Sequence, residues 1–237
     1  IVPRLTAVDN RSQDPSIGEE VTQLGGEILL AQEPFNYSRL NNFGVLASRY
    51  QEEEEWLLFL NNDVELEEHA VEEMSRWISQ PHIGAVGCHL SYPDGTLQHG
   101  GVEAQSVIAS TYFDPTSFTE GTRCSMLLQH RGYVGWDHRE AHLPLSRQKK
   151  ALSLGIVPAV TAACLLVRRT LFLEVGGFDE VWYPIAFSDT HFCQKLQERG
   201  WLVFYTPYAR GIHHESASRQ RDNIEDVESS LWLQCQV

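Results

Sequence analysis

Residues 56–63 constrain the fold more than any other stretch. Trp56, Leu57, Leu58, Phe59 and Leu60 are apolar in succession, and Asn61, Asn62 and Asp63 follow at once. A strand that is apolar on both faces must be covered on both faces, which points to a parallel sheet inside an α/β arrangement. Residues 5–8, 28–31, 83–88, 160–167 and 201–205 read as further strands of this kind. The stretches between them have helical spacing. Ile17, Val21 and Leu24 form one stripe, stopped by Gly25-Gly26. Leu40, Phe43 and Ala47 mark a helix over 37–48, and Leu66, Ala70, Val71, Met74, Trp77 and Ile78 mark another over 66–78. A short helix from Thr170 ends at Gly176-Gly177, and a longer one covers 189–199. Residues 92–101 read as a turn and loop, and 103–155 as loops.

Composition narrows the function classes. The 237 residues suit one large domain. A hydrophobic content of 42% supports a sizeable core and excludes a disordered chain. Eighteen basic against thirty-two acidic residues leave a net charge of −14. That argues against binding a nucleic-acid backbone or an anionic membrane surface, both of which need clustered Lys and Arg. No apolar run approaches the ~20 residues of a membrane span. The five Cys are widely spaced with no Cys-x-x-Cys, so no disulfide framework or structural zinc is expected, and a reducing, cytoplasmic compartment fits.

In an open parallel sheet, ligands bind beyond the carboxyl ends of the strands. Two polar clusters lie there: Asp9-Asn10-Arg11-Ser12 after 5–8, and Asn61-Asn62-Asp63 after 56–60. Such oxygens suit a hard divalent cation, which shares its coordination with phosphate. The plainer reading makes the first a turn and the second a cap for the helix at Leu66. Both readings stand at this point. Asp189 at a helix start is either an N-cap or a general base. His213-His214 is either a surface pair or a source of a metal ligand. No GxGxxG and no P-loop is present, so a Rossmann-type dinucleotide site is disfavoured.

Taken together these residues resemble family 2 glycosyltransferases of bacterial polysaccharide and O-antigen synthesis, which have the GT-A fold. The resemblance runs through Val8-Asp9-Asn10-Arg11-Ser12, Asn36-Tyr37-Ser38-Arg39-Leu40-Asn41-Asn42 and Leu60-Asn61-Asn62-Asp63. It continues through Gly84-Ala85-Val86-Gly87, Tyr92-Pro93-Asp94-Gly95-Thr96 and Thr161-Ala162-Ala163-Cys164. Gly176-Gly177-Phe178-Asp179, Phe187-Ser188-Asp189 and His213-His214-Glu215-Ser216 complete it, in family order. It implies an α/β GT-A fold, with a mostly parallel central sheet and helices on both faces. The expected organisation is one domain over 1–237, with a nucleotide-sugar half at 1–100, an acceptor half at 101–220 and a tail at 221–237.

By this resemblance, Asp9, Asn36, Asn61 and Asp63 bind the nucleotide sugar. Asp63, at the last position of a DxD-like motif, and His213 hold a divalent metal, Mn²⁺ or Mg²⁺, with His214 as second choice. Asp189 is the catalytic base of an inverting transfer, and Gly177, Phe178 and Asp179 lie on the acceptor side. The implied function is transfer of a sugar from a nucleotide-diphosphate donor to a hydroxyl of a glycan or lipid-linked acceptor. It would take place in the cytoplasm, with peripheral association at the inner membrane face through the acceptor.

The chain departs from the family pattern at several places. Asn61 replaces the first Asp of the motif, His191 replaces an acidic residue, and Ser188 replaces Glu or Asn before the base. The family's opening strand, with its Pro-Thr-x-Asn stretch, has no counterpart here. These departures set an alternative beside the enzyme: a weak or inactive sugar-nucleotide-binding domain of a larger polysaccharide-synthesis protein. A metal-dependent hydrolase built on the His pair is a third reading, and it lacks an HxH or HExxH spacing.

Overall fold

The structure is a computed structural model that describes residues 3–50, 55–106 and 134–214; side chains at 104–106 and 134–138 are left aside. The loop reading of 107–133, the Glu215-Ser216 match and the tail at 221–237 lie outside the described residues.

The chain opens with β1 (Thr6–Asp9), α1 (Ser16–Gln23), β2 (Glu27–Leu30) and α2 (Tyr37–Ala47). Next come β3 (Trp56–Leu60), β4 (Val64–Leu66), α3 (Ala70–Ile78) and β5 (Ile83–Ser91). β6 (Leu97–His99), β7 (Val102–Ser106), β8 (Val134–His138) and β9 (Gly155–Ile156) follow. The last elements are β10 (Cys164–Arg168), α4 (Arg169–Glu174), α5 (Ser188–Glu198) and β11 (Leu202–His213).

β1 and β2 pair in parallel as a two-stranded sheet. The seven-stranded sheet runs in the order β3-β10-β5-β11-β4, with β6 on β5 and β9 on β11. It is mixed. β5 and β11 lie parallel at its centre, while β10 runs antiparallel to both β3 and β5. Among the described residues β1 pairs with β2, and β3 with β10.

Alternation along the strands separates two cores. Ala85 and Leu165 face one side with Phe172, Phe192 and Leu196, so α4 and α5 cover that face. Val45 of α2 joins the same cluster beside Leu57 and Phe59. Val86 and Leu166 face the other side with Met74 and Ile78, so α3 covers it. Every fourth residue of α3, namely Ala70, Met74 and Ile78, is buried, as an amphipathic helix on a sheet requires. Four rings, Phe59, Phe172, Phe178 and Phe192, pack with centroids 4.9 to 5.3 Å apart. Each such pair adds about 0.5–1.5 kcal/mol beyond its buried area.

The structure corrects four elements of the sequence reading. The helix expected from Leu66 begins at Ala70, because Val64, Glu65 and Leu66 pair with His213, Ile212 and Gly211 as β4. Leu66 precedes Ala70 by one helical turn, so its apolar spacing fitted either structure. The last strand runs on from Tyr205 to His213, carried past Pro207 by an irregularity between Thr206 and Arg210. The strand expected over 160–167 begins at Cys164; residues 160–163 stay irregular. The loops expected at 92–101 and 103–155 contain β6, the antiparallel pair β7 and β8, and β9.

Candidate functional site

Three strand ends and one helix start build the site. β3 leads directly into Asn61, Asn62 and Asp63, and the chain then turns into β4. Asn61-Asn62-Asp63 therefore does not cap a helix. β11 lies antiparallel to β4 with His213 opposite Val64, which brings the end of one strand beside the start of the other. His213 Nε2 lies 3.2 Å from Asp63 Oδ1, and the two side chains are 8% and 30% exposed. The His214 backbone N–H also donates to the Asp63 carbonyl, at 2.9 Å. The two histidines part company here, since His213 ends β11 and His214 lies just beyond it. His214 Nε2 meets Glu65 Oε1 at 3.1 Å in a more exposed pair. Among the described residues no group of three or more His, Cys, Asp or Glu gathers, so the His213–Asp63 pair stands as two groups.

Asp189 sits in the first turn of α5, one residue inside it, and the N-cap position belongs to Phe187. Phe187 has φ +56°, a left-handed conformation uncommon for a bulky residue. Such strain costs about 1–3 kcal/mol and persists where surrounding contacts enforce it. The half-buried carboxylate accepts the Thr190 N–H on Oδ1 at 2.7 Å and the Ala162 N–H on Oδ2 at 3.1 Å.

Residues 161–163 join these parts. The Thr161 N–H donates to His99 Nε2 at 3.3 Å. The Ala162 carbonyl accepts the Tyr37 hydroxyl at 2.9 Å. The Ala163 carbonyl accepts the Asn61 N–H at 2.9 Å. One irregular tripeptide thus links Asp189 to the segment that carries Asp63. It is irregular because side chains and a neighbouring turn, rather than a ladder, satisfy its backbone groups.

Helix α2 fastens the opposite side. Asn36 Oδ1 caps the helix by accepting the Arg39 N–H, and Nδ2 donates to the Glu180 carbonyl at 2.9 Å. Both ends of this amide are engaged in holding the chain. Ser38 Oγ donates to the Tyr183 carbonyl at 2.6 Å. Asn42 makes a pair of bonds with Phe178: Nδ2 donates to its carbonyl at 2.8 Å, and Oδ1 accepts its N–H at 2.9 Å. Gly177 packs tightly against that amide, and the Lys195 ammonium donates to the Gly177 carbonyl. Asp179 Oδ1 accepts the backbone N–H groups of Val181 and Trp182 at 3.0 Å each, which shapes the loop ahead of α5. Asp9, at the end of β1, accepts the Ser12 N–H at 2.7 Å and closes a local turn.

The same architecture occurs in a solved structure of GalNAc-T7 with UDP, GalNAc and Mn²⁺. The two agree with a TM-score of 0.60 at 12% identity, over 90% of this chain and 38% of that one. The fold is GT-A. No protein-family model matches the sequence. Curated relatives are nonetheless close at this GT-A domain. The O-antigen biosynthesis protein RfbC of Myxococcus xanthus is 35% identical over 204 residues, covering 84% of this chain and 14% of that protein. The N-acetylglucosaminyl-diphospho-decaprenol L-rhamnosyltransferase of Mycobacterium tuberculosis is 27% identical over 180 residues, covering 71% of this chain and 50% of that protein. The chain therefore spans half or less of the length of these relatives.

The donor types present at the strand ends suit a divalent cation. A carboxylate oxygen and an imidazole nitrogen already face each other at the strand ends, and a diphosphate would complete the oxygen-rich set that Mg²⁺ and Mn²⁺ favour. Sequence reasoning missed Tyr37 and the backbone groups of 161–163. Their polar contacts reach residues 27 to 125 positions away, so no local pattern announces them.

Proposed function

We propose that this chain is the catalytic domain of an inverting glycosyltransferase that moves a sugar from a nucleoside-diphosphate donor to a hydroxyl of a glycan or lipid-linked acceptor. The observation that carries this reading is the link from Asp189, through residues 161–163, to the Asn61–Asp63 segment and its His213 neighbour. A base and a cation-binding pair sit on one connected framework at the carboxyl ends of the strands. The named relatives in O-antigen synthesis and rhamnosyl transfer add support, and the latter's name points to a lipid diphosphate acceptor.

Asp189 removes the proton from the acceptor hydroxyl. The acceptor oxygen forms its bond to the anomeric carbon as the bond from that carbon to the diphosphate oxygen breaks. The configuration inverts, and the nucleoside diphosphate leaves with the electron pair. Asp63 and His213 would hold the cation, which when bound supplies Lewis-acid stabilisation of the leaving diphosphate. In a chain of net charge −14, that cation also offsets repulsion of an anionic donor. Asp9 and Asn61 face the nucleotide side in this reading. Asn36 reaches that pocket through its position at the start of α2, while its amide holds the acceptor loop. Gly177, Phe178 and Asp179 shape the acceptor side. The organisation into a nucleotide half and an acceptor half belongs to the same proposal, as does action at the cytoplasmic membrane face. No helix among the described residues is long and apolar enough to cross a membrane.

The test is calorimetric titration of UDP, dTDP and GDP with Mn²⁺, Mg²⁺ or EDTA, followed by a transfer assay with the matching sugar donor. Metal-dependent binding of one nucleotide with sugar transfer is expected. Nucleotide binding without transfer or donor hydrolysis would replace the enzyme by a sugar-nucleotide-binding domain, the reading to which Asn61 and His191 lend weight.

A further inference from the structure

The reading above uses Asp189 as base and leaves open what aims it. Its carboxylate is held from outside its own helix by the Ala162 N–H, at 3.1 Å. Ala162 belongs to no helix or strand, so its position depends on what else grips it. The Tyr37 hydroxyl donates to the Ala162 carbonyl at 2.9 Å, across 125 positions of sequence. Tyr37 is itself fixed as the first residue of α2, whose cap Asn36 binds the Arg39 N–H. Its ring lies 6.1 Å from that of Phe178, which Asn42 clamps through two backbone bonds. The hydroxyl therefore reaches Ala162 from a rigid base. On the far side, the neighbouring Ala163 carbonyl takes the Asn61 N–H at 2.9 Å. Holding Ala162 thus sets Asp189 and the Asn61–Asp63 segment relative to each other.

We infer that Tyr37 is a positioning residue, whose hydroxyl orients the Ala162 backbone so that its N–H aims the Asp189 carboxylate at the acceptor hydroxyl. This rests on the base reading of Asp189. Misplacing a general base by a fraction of an ångström lowers turnover without weakening donor binding, because the donor is held by other groups. A merely structural tyrosine would lower stability and leave that division unmoved.

The experiment is Tyr37→Phe in the full chain, which keeps the ring and removes the hydroxyl. Two readouts apply. In transfer assays, kcat should fall several-fold while the KM for the donor and the nucleotide Kd stay at wild-type values. In ¹H–¹⁵N spectra, the Ala162 amide proton should move toward its position in Asp189→Asn, which removes the charge it bonds. Unchanged kcat together with an unmoved Ala162 amide would overturn the proposal. If Asp189→Asn retains full turnover, the base reading fails, and the amide shift alone still decides whether Tyr37 aims that carboxylate. Should Tyr37→Phe not fold, ¹³Cζ-labelled tyrosine answers the same question. The Tyr37 signal should differ between wild type and Asp189→Asn, and identical signals would overturn it.

Discussion

His213 Nε2 and Asp63 Oδ1 lie 3.2 Å apart, although 150 positions separate them in the chain. The pair exists because β11 runs beyond its parallel partner and ends antiparallel to β4, against the residue that follows Asp63. Asp63→Ala and His213→Ala should each weaken metal-dependent nucleotide binding. The loss should reach at least the ~10–100-fold that removing a ligand's supporting partner costs in metal sites. His214→Ala should leave it near wild type, since His214 faces Glu65 instead. Titration of the nucleotide with Mn²⁺ and with EDTA measures both; equal losses at the two histidines would remove the distinction drawn between them.

Asp189→Asn keeps the shape of the side chain and removes its capacity to take a proton. General-base catalysis is typically worth ~10²–10⁴ in rate, about 3–5 kcal/mol of barrier. Turnover should fall by that factor while nucleotide affinity holds. Single-turnover sugar transfer at saturating donor checks the first, and calorimetry the second. Wild-type turnover in this variant would refute the assignment.

Gly177 has φ +64°, and a Cβ added there would stand 2.5 Å from Asn42 Oδ1. Both facts oppose any side chain, because left-handed backbone is costly for L-residues and the clash falls on the amide that clamps Phe178. Gly177→Ala should cost about 1–3 kcal/mol of stability. Gly95 has φ +82° with nothing near its Cβ, so Gly95→Ala should show the backbone penalty alone. Urea unfolding of both variants measures the difference; equal losses would deny the Asn42 contact its role.

Acid should weaken the fold before its carboxylates protonate. Burial, reinforced by Arg210, pushes the His89 imidazole below its ordinary value of 6.5. Burial, with Lys195 nearby, does the same to His191. A lowered histidine means that the unfolded chain binds protons more readily than the native one. Stability is therefore full above pH ~6.5 and declines as pH falls below it. The carboxylates Glu27, Asp94 and Glu140, all held below their ordinary range, add their own loss at lower pH. For Glu27, burial acts upward, and hydrogen bonds from Ser48 and Thr6 outweigh it. Denaturant midpoints between pH 7.5 and 5.5 should fall in wild type and fall less in His89→Gln. A slope unaltered by that substitution would show that His89 does not drive it.

The layered architecture was legible because it rests on local periodicity. The apolar run 56–60, the every-fourth-residue stripe of α3 and the continuous burial of β5 each record which faces are covered. The strand-end location of Asn61-Asn62-Asp63 followed from the same pattern. What was hidden in the linear chain was long-range pairing. Val64 and Leu66 fit a helix until β11 arrives to pair them, and 160–163 look like strand until the side chains of His99 and Tyr37, 62 and 125 positions away, claim backbone groups of 161 and 162.

Residue order alone therefore indicates β1, β2, β3, β5, the main helices and the strand end at which Asn61-Asn62-Asp63 collect, since backbone preference and side-chain spacing act between near neighbours. Tertiary structure decides which of two adjacent histidines meets Asp63, that Asn36 engages the Glu180 carbonyl, and that Tyr37 reaches the backbone that holds Asp189. These are hydrogen bonds between segments far apart in sequence, and their geometry exists only once packing of the two cores has set the distances between elements.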